Sequence, residues 1–580
     1  MTPEVKFPSI PAALEQRAAE WPDAAAFTFI DYEVDPAGFA ETLTWSELRH
    51  RVRVVAAEIA GHGSVGDRAA ILAPQSMEYL VGFLAAMEAG FIVVPLSVPM
   101  FGAQHDERVS AALRDCAPAV ILTTTSVIED VLPYAQDIPG TPPALIELDV
   151  LDFMTSAPQP PGAGSRATTA VLQYTSGSTS QPRGVVVSHT NVVLNLHQLI
   201  TDMFAHHGGW PAPDTTLVSW LPFYHDMGLL LGICGGVYAG RHTVVMSPMA
   251  FLQKPSRWIQ TMARYSTPFT SAPNFAYALA ARRTSDDDMA GLDLGHVTAF
   301  MCGAERVHAS TLRRFTDRFA AFNLPDNVVR PAYGLAEATL YVAALTPGQP
   351  AVGVRFDYEK LAAGYARRCS GGMGSELMSH GPQRSVDFRI VDPQTREETA
   401  AGTIGEIWVH GEQVPSGYWR NPQQTEAVFG ARLIDPIPGT PDGPWLRTGD
   451  LGVISEGDLF ITGRIKDLLI VDGRNLYPDD IEGTVGEVTR GRVAAISVPD
   501  NATESLVTVA EVKNRAGVEE LGAIKAQVMS TISQIHKVRV ADVVLVAPGS
   551  IPVTTSGKTR RSTSAEYYLA GRFDRLDGSR

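Results

Sequence analysis

The order of helix and strand patterns in the first hundred residues constrains the fold of this chain more than any other feature. A capping box at 44–47 opens a helical pattern whose apolar residues recur at three- and four-residue spacing up to Ile59. Two short apolar runs, 69–72 and 91–95, flank a second helical pattern at 76–89 and are typical of buried strands. Repetition of this order predicts βαβ units and a layered α/β architecture.

Length and charge narrow the class of protein. With 580 residues, the chain exceeds what one hydrophobic core usually supports, so several packed units are expected. Acidic residues outnumber basic ones by 63 to 47, and the resulting formal charge of -16 argues against nucleic acid as a partner. The last ~115 residues resemble a separate α+β unit, because strand-like runs at 493–498 and 506–512 precede an amphipathic helical pattern at 518–536.

Cysteine usage and hydropathy bear on the cellular setting. The four cysteines are far apart and form no C-x-x-C pair, which favours a reduced, cytoplasmic protein without a zinc site. The N-terminus lacks the pattern of a secretory signal. The longest apolar run, 81–100, contains Glu88 and Pro95, so we interpret it as a helix followed by a buried strand and expect no integral membrane contact.

A loop rich in glycine and hydroxyl groups lies between two apolar runs, 169–174 and 185–187. It reads TSGSTSQPRG at 175–184. Unhindered backbone N–H groups and hydroxyls suit a nest for triphosphate oxygens, to which Arg183 would add positive charge. The loop departs from the G-x-x-x-x-G-K-[ST] pattern of P-loop NTPases. A flexible Ser/Gly linker is the alternative, and the flanking strand patterns argue against it.

Together with this loop, four later motifs resemble those of the superfamily of acyl-CoA synthetases, luciferases and peptide-synthetase adenylation domains. In order, they are AYGLAEAT at 332–339, LRTGD at 446–450, GRIKDLLI at 463–470 and TTSGKTRR at 554–561. Five motifs in the superfamily's order make a chance match improbable. Taken singly, several have plain alternatives: Tyr333 could be a core residue, and Lys558 could be a solvated lysine in a basic tail.

The resemblance implies a role for each motif. Tyr333 would stack on adenine, and Glu337 would coordinate Mg²⁺. Asp450 would accept hydrogen bonds from the ribose hydroxyls, with Arg464 also on the ribose, and Lys466 would be the hinge. Lys558 would be the catalytic lysine of adenylation. The implied ATP site comprises Thr175, Ser176, Gly177, Ser178, Thr179, Gly303, Ala304, Glu305, Tyr333, Gly334, Leu335, Ala336, Asp450 and Arg464.

The resemblance also implies an architecture. It predicts a large multilayer N-terminal domain of the adenylate-forming type at 1–464 and a small, mobile α+β C-terminal domain at 465–580. Two departures from the superfamily's loop pattern, Ser180 and Arg183, are tolerated in one branch, the fatty acyl-AMP ligases. The motifs WLPFYHDMG at 220–228 and SAPNF at 271–275 are similar to that branch as well.

In the fatty acyl-AMP ligases, the motifs that correspond to 220–228 and 271–275 contribute to an acyl tunnel. His225 would lie at the tunnel mouth as a catalytic residue, with Met227 and Phe275 along the tunnel, although His225 and Asp226 could also be a satisfied core pair. The segment 356–381 is similar to an insert that restrains the small domain in these ligases and is absent from CoA ligases. We expect this insert to disfavour the state that uses CoA.

The expected activity is therefore the ATP- and Mg²⁺-dependent conversion of a long-chain fatty acid to acyl adenylate, with transfer to an acyl carrier protein of a polyketide synthase. The actinobacterial ligases that supply such synthases for lipid biosynthesis are the most similar group. A long-chain acyl-CoA synthetase remains the alternative, and a peptide-synthetase adenylation domain is less favoured because no condensation or carrier module adjoins. A hydrolase is disfavoured because the chain has no G-x-S-x-G motif, and a non-catalytic binding protein because Glu337, Asp450, Arg464 and Lys558 are present.

Overall fold

The structure is a computed structural model, and it describes residues 5–99, 106–154, 167–175, 182–371, 374–471, 474–500, 503–512, 518–553, 558–576 and 578. The N-terminal part holds two largely parallel sheets and one antiparallel sheet. A smaller α+β unit follows them along the chain. The predicted class, a large α/β domain followed by a small α+β domain, is confirmed.

The first sheet comes from the region in which the sequence predicts βαβ units. Five of its strands are parallel, and the sixth returns antiparallel to the fifth. Alternate residues of its central strands enter different cores: Ala69 and Ile71 pack in one, and Ala70 and Leu72 in the other. The strands are therefore buried on both faces, as their continuous apolar runs indicate. In spatial order they are Ala144–Glu147, Val120–Thr123, Arg68–Ile71, Ile92–Pro95, Thr169–Thr175 and Arg183–Ser188.

The second sheet has parallel strands at its centre and an antiparallel strand at each edge. Its parallel strands all point their carboxyl ends toward the same edge, where ligand sites of α/β proteins usually lie. In spatial order its strands are Ala343–Ala344, Val329–Tyr333, Ala299–Gly303, Phe269–Pro273, Leu217–Ser219, Thr243–Met246, Ala25–Asp31 and Phe39–Thr44.

The third sheet is antiparallel throughout. It carries two of the sequence motifs on adjacent strands, because Asp450 pairs in register with Arg464. In spatial order its strands are Gly353–Asp357, Gly374–Pro382, Asp458–Arg464, Leu446–Ser455, Gly405–His410 and Asp387–Val391.

The described residues of the small domain form a three-stranded sheet, a hairpin and three α-helices. Strand Thr503–Glu511 pairs antiparallel to Val493–Asp500 and parallel to Val540–Val546. The hairpin joins Leu469–Val471 to Arg474–Leu476. The helices are Pro478–Thr489, Val518–His536 and Arg561–Leu569. The predicted helix at 518–536 is confirmed at both ends.

Local signals in the sequence explain where helices of the large domain begin. In Trp45–Ala60, the Thr44 side chain accepts from the Glu47 N–H and the Glu47 side chain accepts from the Thr44 N–H, so the predicted capping box is present. Ser76 caps Met77–Glu88 through its hydroxyl, which accepts from the Tyr79 N–H at 3.3 Å. The other α-helices of this domain are Ile10–Glu20, Glu107–Cys116, Ile128–Gln136, His189–Met203, Gly236–Ala239, Pro248–Gln253, Ser256–Arg264, Asn274–Arg283, Ala309–Ala320, Tyr358–Ala362 and Pro422–Phe429.

Shorter helical elements complete the chain. A π-helix, Met227–Gly235, continues directly into Gly236–Ala239. Single 3₁₀ turns lie at Leu148–Val150, Ala205–His207, Asp287–Met289, Ala336–Ala338 and Ile465–Asp467. Within the described ranges, no helix combines the length and the apolar character needed to cross a bilayer.

Candidate active site

A cleft of about 1310 Å³ lies where the carboxyl ends of the parallel strands meet the small domain. Thr175, Gly303 and Tyr333 each end a strand at this edge, and the chain after Leu217–Ser219 leads to His225. The lining also includes Lys558 from the small domain. The cleft is therefore lined by residues of both domains.

Two glycines at the strand ends allow the backbone segments to approach each other closely. A Cβ atom on Gly334 would overlap the carbonyl oxygen of Leu340, and one on Gly303 would lie 2.9 Å from the carbonyl oxygen of Ala332. Ala304 follows with φ +63°, a left-handed conformation that non-glycine residues adopt infrequently. A side chain at either glycine would push apart the strand ends that form the cleft floor.

Tyr333, Asp450 and Arg464 form a hydrogen-bonded wall of the cleft. The Tyr333 hydroxyl donates to Asp450 Oδ2 at 2.8 Å, and Arg464 Nε lies 2.9 Å from Asp450 Oδ1. The Asp450 carboxylate raises the pKa of Arg464. Burial raises the pKa of Tyr333, and the Asp450 carboxylate raises it further. Both partners therefore remain hydrogen-bond donors near neutral pH.

Glu406 holds the turn that carries Asp450. Its buried carboxylate accepts the Gly449 N–H at 3.0 Å, Arg447 Nε at 3.0 Å and Trp408 Nε1 at 2.9 Å. Gly449 has φ +71°, which glycine adopts without strain. The direction of the Asp450 side chain is thus set by a carboxylate that lies 44 positions earlier in the chain.

Glu337 is a partly buried carboxylate in the lining of the cleft. Tyr418 donates its hydroxyl hydrogen to Glu337 Oε1 at 3.0 Å, and the Arg183 guanidinium lies 5.6 Å from the Tyr418 ring centroid. Burial raises the pKa of Glu337, whereas the Tyr418 hydrogen bond and Arg464 oppose this shift. The Asp226 carboxylate adds further repulsion. This carboxylate is under-compensated, so a cation in the cleft would stabilise it.

Asp226 lies beside the predicted acyl-tunnel residues. Its Oδ1 is 2.6 Å from His225 Nδ1 and accepts the Met227 N–H at 2.7 Å. Burial disfavours ionisation of Asp226, but the His225 contacts outweigh it and lower the pKa. Phe275, 37 % exposed, donates its backbone N–H to Glu305 at 2.6 Å. Burial raises the pKa of Glu305.

Lys558 faces a ring of charged groups from the large domain. Burial lowers its pKa first, and Arg464 lowers it further. The carboxylates of Asp226, Glu305 and Asp450 act in the opposite direction. The ammonium is therefore within electrostatic reach of Asp226, Glu305 and Asp450 at once.

Arg561 anchors the chain segment that carries Lys558. Its guanidinium contacts three carboxylates of the small domain: Asp467 at 2.8 Å, Asp479 at 2.7 Å and Glu482 at 2.7 Å. Asp467 immediately follows Lys466, which also lines the cleft. The network ties the lysine segment to the chain that connects the two domains.

The segment 356–381 contacts the small domain at two points. Tyr358 belongs to the small domain's hydrophobic core and packs edge-to-face on His536 at 5.2 Å between ring centroids. The Ser375 hydroxyl donates to Asp480 Oδ2 at 2.8 Å, and Arg306 pairs with the other oxygen of the same carboxylate. Side chains from two parts of the large domain therefore hold one carboxylate of helix Pro478–Thr489.

Most of the residues predicted from sequence come together in this cleft. Ser176, Gly177, Ser178 and Thr179 lie outside the described residues. The predicted residues that line the cleft are Thr175, His225, Met227, Phe275, Gly303, Ala304, Glu305, Tyr333, Gly334, Leu335, Ala336, Glu337, Asp450, Arg464, Lys466 and Lys558.

Three residues of the site were missing from the sequence prediction. Tyr418 lies 81 positions from Glu337, and no local pattern marks it. Glu406 is one acidic residue within an apolar strand, and this pattern could have indicated a buried hydrogen-bonded carboxylate. Asp226 follows His225 directly in the motif at 220–228, and the motif does not indicate that its carboxylate also lines the cleft.

Comparisons with protein families identify both parts of the chain. The sequence model of the AMP-binding enzyme family matches residues 14–419. A second one, described as Disco-interacting protein 2-like, AMP domain, matches residues 466–576.

Individual relatives match over nearly the full length. The long-chain-fatty-acid–AMP ligase FadD26 of Mycobacterium marinum is 56% identical, with 98% of each chain covered. The 4-hydroxyphenylalkanoate adenylyltransferase of Mycobacterium tuberculosis is 55% identical, covering 98% of this chain and 93% of the relative.

Solved structures show the same architecture. A structure from a study of fatty acyl-adenylate ligases of E. coli and L. pneumophila superposes with a TM-score of 0.84 at 28% identity, with 98% of each chain covered. A fatty acyl-adenylate ligase from L. pneumophila, in complex with acyl adenylate and pyrophosphate, gives 0.73 at 30% identity, covering 97% of this chain and 96% of that one.

The fold is that of the adenylate-forming enzymes. The chain belongs to the AMP-binding enzyme family and, within it, to the fatty acyl-AMP ligases. The family resemblance that the five sequence motifs predict is thereby confirmed.

Proposed function

We propose that this enzyme uses ATP to convert a long-chain fatty acid into an acyl adenylate, with release of pyrophosphate. The single observation that supports it most is the placement of Lys558 in the same cleft as the Tyr333–Asp450–Arg464 wall and the His225–Asp226 pair. An acid, a nucleotide and a lysine ammonium can meet there without a change in the relative position of the domains.

In the proposed reaction, a carboxylate oxygen of the fatty acid attacks the α-phosphorus of ATP. The bond from this phosphorus to the bridging oxygen breaks, and pyrophosphate leaves with the negative charge. Asp450 accepts hydrogen bonds from the ribose hydroxyls, while Tyr333 lies against the adenine. Lys558 binds the fatty carboxylate and the α-phosphate oxygens, so it orients the nucleophile and offsets the charge that develops on phosphorus.

Magnesium fits the charge balance of this cleft. Glu337 is a partly buried carboxylate whose pKa is raised by desolvation, and Mg²⁺ is commonly held by one or two carboxylates together with substrate phosphates. The described residues contain no cluster of three or more metal-binding side chains, which agrees with a cation that arrives with ATP. When bound, the ion would neutralise charge on the phosphates.

We further propose a domain boundary between Arg464 and Ile465, with Lys466 as the hinge. The third sheet ends at Arg464, and one 3₁₀ turn, Ile465–Asp467, separates it from the hairpin of the small domain. A rotation at Lys466 would carry the Arg561 network along with the small domain, because all four of its residues lie beyond the hinge.

The proposed acceptor of the acyl group is the phosphopantetheine thiol of an acyl carrier protein of a polyketide synthase. The thiol attacks the carbonyl carbon of the mixed anhydride, the bond to AMP breaks, and the thiol proton is released to solvent. The contacts of Tyr358 and Ser375 support a small domain that is held in the adenylating position, which disfavours the use of free CoA.

The acid itself has two candidate classes, because relatives of nearly equal identity are named for long-chain fatty acids and for 4-hydroxyphenylalkanoates. The experiment is to incubate the enzyme and Mg-ATP with lauric acid, palmitic acid or a 4-hydroxyphenylalkanoic acid, with and without CoA or a holo carrier protein, and to separate the products by mass. Acyl adenylate from the fatty acids, passed to the carrier and not to CoA, supports the proposal. Preferred use of the aryl acid would change the substrate class, and rapid acyl-CoA formation would favour a CoA ligase.

A further inference from the structure

A second pocket, of about 1070 Å³, shares no lining residue with the active-site cleft. We call it the cationic pocket. Helix Ile10–Glu20 and the turn that follows Gly236–Ala239 contribute to it. Its lining residues include Lys6, Phe7, Arg17, Glu20, Trp21, Trp45, Trp210, Arg241 and His242.

Two arginines of the cationic pocket are buried: Arg17 pairs with one carboxylate, whereas Arg241 contacts neutral carbonyl oxygens. Arg17 is 6 % exposed and Arg241 is 8 % exposed. Arg241 donates to the carbonyl oxygens of Gly240 and Pro211 at 2.8 and 2.7 Å, which are neutral acceptors. Among the described residues, neither Arg17 Nε nor Arg241 Nε has a hydrogen-bond partner. Buried charges are normally paired, so this arrangement is costly unless an anion completes it.

Lys6 adds a third positive charge. Its Nζ lies 3.5 Å from the Trp210 ring centroid, a cation–π contact and not an ion pair. Partial desolvation by the neighbouring groups lowers the pKa of Lys6, and Arg17 and Arg241 lower it further by repulsion. Burial also lowers the pKa of Arg241, with Arg17 as the next cause. The three cations are thus close enough to destabilise one another.

The acidic groups near this pocket do not balance its charge. Glu20 Oε2 pairs with Arg17 Nη1 at 3.1 Å, and among the residues that the structure describes it is the one acidic residue in the lining. Asp214 acts on Arg241 from outside the lining and accepts the Ser266 hydroxyl. In the described part of the lining, three cations and one carboxylate leave about two positive charges, and a phosphate monoester carries roughly −1.5 to −2 at pH 7.

We propose that the cationic pocket binds the phosphate group of a small organic phosphate monoester, whose apolar part lies against the tryptophan rings. Arg17 also stacks between Phe7 and Trp21, at 4.8 and 5.0 Å from the ring centroids, so aromatic surface adjoins the cations directly. A carboxylate would neutralise half of the excess charge, whereas a phosphate dianion matches it. This site is separate from adenylation, and its test needs no turnover.

The test is isothermal titration of the full chain with phenyl phosphate, inorganic phosphate and benzoate as probes. We expect saturable binding in which phenyl phosphate is tightest and benzoate weakest. Lys6→Gln should weaken phenyl phosphate binding roughly tenfold, because a charge-assisted contact contributes about 1.4 kcal/mol or more. Lys6 is exposed, so this variant should fold normally, and Lys6→Arg should preserve most of the affinity because it keeps the charge. Lys254→Gln, at an exposed lysine outside the pocket, is the matched control.

Two results would overturn the site: the absence of saturable phenyl phosphate binding, or equal affinity in wild type, Lys6→Gln and Arg241→Gln. Benzoate that binds as tightly as phenyl phosphate would overturn the phosphate assignment. The phosphate could belong to a lipid headgroup or to a soluble ligand, and phosphatidylcholine vesicles with and without phosphatidic acid distinguish these two sources. Co-sedimentation that requires both phosphatidic acid and Lys6 assigns a lipid headgroup, and phenyl phosphate binding without co-sedimentation assigns a soluble ligand.

Discussion

The two walls of the active-site cleft are stabilised in different ways. The wall of the large domain consists of strand ends whose side chains bond to one another, as Tyr333, Asp450 and Arg464 do, above a turn fixed by Glu406. The wall of the small domain presents Lys558, which Arg561 and its three carboxylates position from behind. The first wall is complete within its own domain, whereas the second contributes only while the small domain is docked. Binding of the nucleotide and chemistry on it should therefore respond differently to mutation.

Lys558→Ala should give the largest difference between the effect on adenylation and the effect on nucleotide binding. We expect adenylation to fall about a hundredfold to a thousandfold, because one preorganised cationic donor is lost, while ATP affinity stays nearly unchanged. Pyrophosphate release measures the first quantity and calorimetric titration with ATP the second. Lys254→Ala, outside the cleft lining, is the control. Retained adenylation in Lys558→Ala would refute the role of this lysine.

Breaking the anchor behind the lysine should have the next largest effect. Arg561→Ala leaves Asp467, Asp479 and Glu482 without their shared partner, and we expect the small domain to lose about 3 kcal/mol of stability together with adenylation activity. Arg561→Lys should recover part of both, since an ammonium keeps the charge but cannot span three carboxylates. Chemical denaturation, with proteolysis of the small domain as the readout, measures the loss of stability. Arg572→Ala, an exposed arginine of the same domain, should change neither quantity.

The docking of the small domain can be weakened from the large domain through Tyr358. Tyr358→Ala removes an aromatic side chain that packs in the small domain's core, at a cost of about 2 to 3 kcal/mol. We expect more acyl-CoA relative to acyl adenylate in the presence of CoA, with product masses as the measurement. Tyr365→Ala is the matched control, because Tyr365 belongs to the same segment and is 57 % exposed. An unchanged product ratio in Tyr358→Ala would count against the restraining role of this segment.

Acid should loosen the same contact. Burial lowers the pKa of His536 to about 4, although Asp480 opposes this, and its Nδ1 has no hydrogen-bond partner among the described residues. The unfolded chain, with a histidine pKa near ~6.5, then binds more protons than the folded one, so stability is present above that pH and is lost as the pH falls toward 4.

Between pH 7 and pH 5 this loss should reach about 2 kcal/mol. Denaturation of the wild type and of His536→Gln at both pH values measures it, and the variant should show the smaller dependence on pH. His62→Gln, an exposed histidine, should behave as the wild type. Equal pH dependence in wild type and His536→Gln would exclude this residue as the cause.

The smallest effect should come from a change in the wall of the large domain. Tyr333→Phe keeps the ring but removes the hydroxyl that donates to Asp450, which contributes about 1 kcal/mol. We expect the KM for ATP to rise about fivefold, with kcat nearly constant, in steady-state pyrophosphate release. Tyr567→Phe, in the small domain and outside the cleft lining, is the control. A fall in kcat without a change in KM would mean that Tyr333 acts on the transition state and not on nucleotide binding.

Local sequence signals predicted much of the fold. The capping box before Trp45–Ala60, the buried runs of the first sheet and the helix Val518–His536 all depend on residues within a few positions of one another. Such signals report the local preference of the backbone and the side on which apolar groups lie. The order of the five motifs also predicted the family, because each motif is a short continuous segment that can be identified without the tertiary structure.

Tertiary structure alone decided how the motifs work together. The Tyr418–Glu337 bond spans 81 positions, the Arg561–Asp467 pair spans 94 and the Ser375–Asp480 bond spans 105. The cationic pocket depends in the same way on an Arg17–Tyr238 bond that spans 221 positions. The sequence by itself determined several of the helices and strands and which turns are candidates for ligand binding. Which charges meet was decided by packing, because the Coulomb energy of a pair depends on distance and burial in space and not on separation along the chain.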